Sequence, residues 1–146
     1  MTLRRVSIFP LGGALLYPGL HLPLHIFEPR YRALVSDALA RDRLIGMIQP
    51  REDEDAATPR PGQRGPALFD IGCLGHIADV EAMEDGRFNI ILEGVGLFRV
   101  ARELDVTTPF RQIEAEMLEG PPLEALAAVE RAALEAEAKR FAIWLG

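Results

Sequence analysis

At 146 residues and a net charge of −6, with 49% apolar and 26% charged side chains, the chain has the composition of one globular domain with a single core. That balance excludes a disordered chain, and 16 basic against 22 acidic residues argues against a non-specific nucleic-acid binder, which needs a basic patch. The lone cysteine, Cys73, rules out an internal disulfide and a cysteine zinc site, and it points to a reducing compartment, hence the cytoplasm.

Residues 6–27 hold no Asp, Glu, Lys or Arg and follow Arg4-Arg5, a pattern that invites comparison with an export signal or a membrane span. Pro10, Pro18 and Pro23, with Gly12, Gly13 and Gly19, break any helix there. No A-x-A cleavage site follows, so neither is expected. Leu20, Leu22, Leu24 and Ile26 alternate with His21, Pro23, His25 and Phe27, the period of a strand. Pro23 cannot donate to a ladder, which puts that strand at an edge or on a bulge. The period then changes. Tyr31, Leu34, Val35, Ala38 and Leu39 fall on one face of a helix that opens at Pro29 and ends near Arg41-Asp42.

Residues 44–48 read as a short, fully buried strand. The tract 50–66 contains four adjacent carboxylates and a Pro/Gly/Arg run with little to bury, the composition of a long mobile loop. A strand resumes over 68–83, bent at Gly72 or Gly75, and Asp85-Gly86 supplies a hairpin turn. Phe88, Ile90 and Leu92 continue the alternation. Gly94-Val95-Gly96 reads as a second turn, followed by strands over 97–102 and 111–118. Beyond Gly120-Pro121-Pro122 the composition shifts to Ala, Glu and Leu, which predicts a terminal helix with Leu134, Ala138, Phe141 and Leu145 on one face.

Motifs for chemistry are weak. His21 and His25 stand four apart, but Pro23 forbids the helix that would bring them onto one ion, and an extended spacing of four residues spans about 13 Å. No metal site is expected, and His76 reads as a strand residue. Gly94-Val95-Gly96 lacks the second half of a dinucleotide fingerprint, and Gly62-Gln63-Arg64-Gly65 lies in a tract without the flanking helices of an RNA-binding loop. There is no phosphate loop of the G-x-x-x-x-G-K-[ST] type, so no cofactor is expected. Ser7 and Ser36 sit in no nucleophile elbow, the only lysine is Lys139, and Cys73 lies in an apolar strand that suits a buried thiol. No catalytic residue is assigned.

Three segments carry a resemblance. Ile8-Phe9-Pro10-Leu11, Tyr17-Pro18-Gly19 and the run from Leu22-Pro23-Leu24-His25-Ile26-Phe27 into Glu28-Pro29-Arg30-Tyr31 resemble the opening of the Lon protease N-terminal domain family. Phe69-Asp70-Ile71-Gly72-Cys73-Leu74-Gly75 and Asp85-Gly86-Arg87-Phe88-Asn89-Ile90 through Gly94 resemble its two later strand blocks. The resemblance covers residues 6–118 and implies an α+β fold: a mostly antiparallel, PUA-like pseudo-barrel with one packed helix and a C-terminal helix. The expected division is a β-rich domain over 1–118 and, over 119–146, a helix that begins the family's helical bundle, as in a stand-alone or truncated member.

The resemblance also implies a non-enzymatic module that binds unfolded or extended polypeptide, related to ATP-dependent proteolysis but lacking the ATPase and peptidase domains. A small-molecule-binding or partner-docking PUA-like domain is the alternative, and the terminal helix is the expected contact for a homo-oligomer or protein partner. Neither nucleic acid nor membrane is an expected partner. Leu15, Leu16, Tyr17 and Leu20 are the candidate substrate contacts, because a Pro- and Gly-interrupted segment cannot pair fully in a sheet. Glu28, Arg30 and Tyr31 are expected to hold the strand-to-helix junction, with the carboxylate at the positive end of the helix and the phenol ring on its buried face.

Overall fold

The structure is a computed structural model that describes residues 2–51 and 64–119. The expected terminal helix and most of the 50–66 tract lie outside the described residues. In chain order the elements are β1 (Leu3–Pro10), β2 (His21–Ile26), α1 (Pro29–Leu39), β3 (Leu44–Ile48), β4 (Ile71–Ala82), β5 (Phe88–Glu103) and β6 (Gln112–Met117). The sheet order is β2-β5-β4-β3-β1-β6, and β5 also pairs with β6. That extra pairing closes β1, β3, β4, β5 and β6 into a ring. All ladders are antiparallel except β1–β3, whose parallel pairing needs the crossover that β2 and α1 supply.

Two apolar clusters follow from strand alternation. Val6, Ile8, Ile48, Leu74, Phe98, Ile113 and Ala115 fill the ring. The Phe98 ring fits because Gly46 and Gly72 leave it room: a Cβ at Gly72 would stand 2.5 Å from Phe98 Cζ. The opposite faces of the same strands, with Ile45, Met47, Cys73 and Leu97, pack against Tyr31, Leu34, Val35 and Ala38 of α1. β3 is thus covered on both sides, which explains why its sequence is an uninterrupted apolar run.

The β4–β5 hairpin turns where expected. Gly86 has φ +89°, the Met83 amide donates to the Arg87 carbonyl at 2.8 Å, and Arg32 of α1 donates to the Asp85 and Gly86 carbonyls. The Gly94-Val95-Gly96 turn is not there. β5 runs unbroken from Phe88 to Glu103, so the two strands expected on either side of that turn are one. The glycine serves close approach instead: an ideal Cβ on Gly94 would lie 2.1 Å from the Tyr17 carbonyl oxygen. In β4 the register shifts at Leu74/Gly75, which places the expected bend at Gly75, and again at Ile77/Asp79.

Candidate functional site

Among the described residues β2 occupies the edge of the sheet, and its only ladder is with the first half of β5. The Gly94 amide donates to the Leu20 carbonyl at 2.9 Å, and strand alternation carries this forward, so Leu22, Leu24 and Ile26 turn their backbone groups to β5. His21, Pro23 and His25 turn theirs outward. Pro23 therefore lacks an amide proton where β5 does not require one, the placement that an edge proline favours. Among the described residues, nothing pairs with the amides and carbonyls of His21 and His25 or with the carbonyl of Pro23.

The segment before β2 is pinned across the barrel. The Leu11 amide donates to the Ile48 carbonyl at 3.2 Å, and the Gly13 amide donates to Gln49 Oε1 at 3.2 Å. Gln49 Nε2 donates in turn to the Ala14 carbonyl. Pro18 forms a bridge with Gly94, and the Gly19 amide donates to the Gly94 carbonyl at 2.9 Å.

This anchoring sorts the four candidate contacts. Leu16 is 3% exposed and belongs to the core cluster, where its Cδ2 fills the space that Gly75 leaves open. It is a packing residue, and the expectation of a surface contact there is corrected. Leu15 and Tyr17 are half-buried, and Leu20 is 54% exposed. Two residues not named from the sequence join Leu20 on the surface: Val95, beside the Gly94 that holds Leu20, and Phe27, whose ring stacks on His25 at 5.9 Å.

The outward face of β2, β5 and β4 reads in register as three rows: His21–Glu93–His76, Pro23–Ile91–Asp79 and His25–Asn89–Glu81. The β-bulge at Ile77/Asp79 keeps His76, Asp79 and Glu81 on this one face. His25 Nδ1 donates to Asn89 Oδ1 at 2.7 Å, and Asn89 Nδ2 donates to Glu81 Oε1 at 3.4 Å. Among the described residues, no group of three His, Cys, Asp or Glu side chains is placed to hold a metal ion. Cys73 is buried, and burial pushes its thiol up to about 11.

At the junction, Glu28 is the N-cap residue of α1, but its side chain makes no capping hydrogen bond. It pairs with Arg30 at 3.1 Å, and the Arg30 guanidinium lies 4.7 Å from the centre of the Tyr31 ring. The Tyr31 ring stacks on Phe9 at 4.0 Å, and its hydroxyl donates to the Pro10 carbonyl at 3.5 Å, so the first turn of α1 is tied to the end of β1. Burial raises the Tyr31 phenol above its ordinary pKa, and the positive charge of Arg30 opposes that rise.

Sequence reasoning missed the most buried ion pair among the described residues. Arg111 holds Glu103 through two hydrogen bonds of 3.0 and 2.6 Å, with side chains only 10% and 5% exposed. Arg111 also donates to the Pro66 carbonyl, and Arg64 donates to the Thr108 and Phe110 carbonyls. This cluster ties residues 64–66 to the β5–β6 connection. Eight residues separate the paired charges, a spacing with no recognisable motif.

A ring of five strands with one packed helix and an added edge strand defines a PUA-like pseudo-barrel. The chain belongs to the family of the ATP-dependent protease La (LON) substrate-binding domain, whose family model matches residues 5–141. It is 32% identical over 117 residues to a Lon protease of Parabacteroides distasonis, covering 78% of this chain and 13% of that protein. It is 30% identical over 129 residues to Lon protease 2 of Sorangium cellulosum, covering 84% and 15%. The chain thus spans roughly an eighth to a seventh of the length of these curated relatives. The Lon N-terminal domain protein of Xanthomonas campestris has a similar structure, with a TM-score of 0.61 and 25% identity over 82% of this chain and 62% of that one. The N-terminal domain of a Mycobacterium avium complex Lon protease shares the fold, with a TM-score of 0.60 at 16% identity over 97% and 71%.

Proposed function

We propose that this chain is a non-catalytic module that binds unfolded or extended polypeptides in the cytoplasm. Among the described residues no helix is long and apolar enough to cross a membrane. The observation that carries the reading is the open edge of β2, where the outward backbone groups of His21, Pro23 and His25 run beside exposed Leu20, Phe27 and Val95. An extended segment that adds to this edge forms backbone hydrogen bonds whatever its sequence, and apolar side chains at alternate positions lie against Leu20 and the half-buried Leu15 and Tyr17. Family membership and the recurrence of the fold in Lon N-terminal domains support the same reading. The chain itself is expected neither to hydrolyse ATP nor to cut peptide bonds, and casein cleavage that vanishes on Ser7→Ala or Ser36→Ala would refute that.

The test is a titration of reduced, carboxymethylated α-lactalbumin into isotope-labelled chain, followed by amide shifts. The expected result is a set of perturbations at Leu20, His21, His25 and Val95. Perturbations confined to α1 or β6, or none at all, would overturn the reading.

A further inference from the structure

The outward face of β2, β5 and β4 contains a groove of about 410 Å³ next to the open edge. Pro23 and Ile91 supply its apolar floor, Leu24 and Ile90, whose side chains turn to the core, border it through their backbone, and Asp79 and Glu81 stand on its far side. These two carboxylates are exposed, and among the described residues neither meets a cation. Asp79 Oδ1 accepts only the neighbouring Val80 amide, and Glu81 Oε1 accepts only Asn89 Nδ2. Elsewhere on the described surface Asp37, Asp42, Asp85 and Glu114 each pair with an arginine. The groove therefore joins an apolar floor to a negative far wall that meets no counter-charge among the described residues.

We infer that this groove receives a lysine or arginine side chain of the bound polypeptide, with the aliphatic stem on Pro23 and Ile91 and the cationic head between Asp79 and Glu81. The shape follows from register. Pro23, Ile91 and Asp79 are direct cross-strand neighbours, so the row leads from the β2 edge across two apolar side chains to a carboxylate, and Glu81 lies two residues further along β4. A long basic side chain has this same order of parts, an apolar stem followed by a charged head. A purely apolar side chain leaves the carboxylates without a partner, and an acidic one is repelled by them. His25 and Asn89, also on the groove lining, are bonded to each other and leave the carboxylates as the charged recognition elements. The inference rests on the polypeptide reading above and adds a preference to it: segments that place a basic residue among apolar ones.

The probes are two fluorescein-labelled twelve-residue peptides of alternating Leu and Thr, identical except that one carries a central Lys and the other a Gln. Fluorescence anisotropy with the full chain at low ionic strength should show the Lys peptide bound roughly fivefold tighter, the effect of a well-placed pair of partly exposed charges. At 0.5 M salt the preference should shrink. In the Asp79→Asn/Glu81→Gln double variant it should disappear while the Gln peptide binds as before. Both substitutions keep the acceptor oxygens that Val80 and Asn89 use, so the variant should keep its melting temperature. Equal affinity of the two peptides for the wild type would overturn the basic subsite and leave the polypeptide reading standing. A preference that persists in the double variant would overturn it as well. Failure of both peptides to bind would remove the polypeptide reading together with the subsite.

Discussion

Gly94→Ala is the most informative single change to the barrel. The new methyl carbon would fall 2.1 Å from the Tyr17 carbonyl oxygen, 2.7 Å from the Tyr17 carbonyl carbon and 3.1 Å from the Pro18 nitrogen. All three are backbone atoms of a segment held at both ends, so no side-chain rotation relieves the clash. The 17–19 segment must lift away, and the Gly19-to-Gly94 and Gly94-to-Leu20 hydrogen bonds, both 2.9 Å, are stretched or lost. Overpacking costs about 1–3 kcal/mol. Two backbone bonds add about 0.5–1.5 kcal/mol each. A loss of about 2–6 kcal/mol is expected, read as a lower urea midpoint at unchanged slope. Gly96→Ala, two residues along the same strand, is the control. Its Cβ meets only the Met117 methyl at 3.3 Å, the far end of a flexible side chain, and should cost under about 1 kcal/mol. Amide exchange at Gly19 and Gly94 should accelerate in the first variant alone. Equal midpoints for the two variants would refute the claim that Gly94 exists to admit the crossing chain.

Glu103→Ala leaves the buried Arg111 guanidinium without its carboxylate and should cost about 3–5 kcal/mol by urea titration; a loss under about 1 kcal/mol would show that water reaches the pair. Tyr31→Ala removes a ring stacked on Phe9 and should cost about 3–5 kcal/mol. An unchanged melting temperature there would mean that the junction is held by backbone contacts alone. The Cys73 thiol is raised from an ordinary 9.0 to about 11, so the folded state holds its proton more tightly than the unfolded state. Its contribution is fully present below pH 9 and lost as pH climbs toward 11. Over that range the wild type should lose stability faster than Cys73→Ala, and parallel curves would contradict the assignment.

The elements that were legible in the sequence are those whose period is long and unmixed. α1 shows its 3.6-residue spacing from Tyr31 to Leu39, and β2 shows strict alternation with a proline that marks it as an edge. β5 was misread because a glycine pair in a strand looks identical whether the chain reverses there or another backbone crosses. Only the position of Tyr17–Pro18 distinguishes the two. The same limit applies to Leu16 and Leu20. In a segment broken by proline and glycine no period assigns a face, so leucines four residues apart can end at 3% and 54% exposure with no warning in the pattern. The Arg111–Glu103 pair was invisible because its geometry is a property of the β5–β6 ladder. The groove shared by Pro23, Ile91 and Asp79 was invisible too, because it requires the register of three strands.

The edge of β5 that faces away from β4 has two tenants along it. Residues 88–93 of that edge carry β2, and residues 98–103 carry β6. The ring is closed by the second half only, so β2 hangs on the barrel as a flap rather than as a stave. Its ladder can open residue by residue while the hoop through β1, β3, β4, β5 and β6 stays intact. Amide protection should therefore be lower at Phe88, Ile90 and Leu92, whose amides face β2, than past Phe98, while Asn89 and Ile91, which face β4, keep theirs. Loosening of that rim, where an added strand is proposed to dock, leaves the vessel sealed.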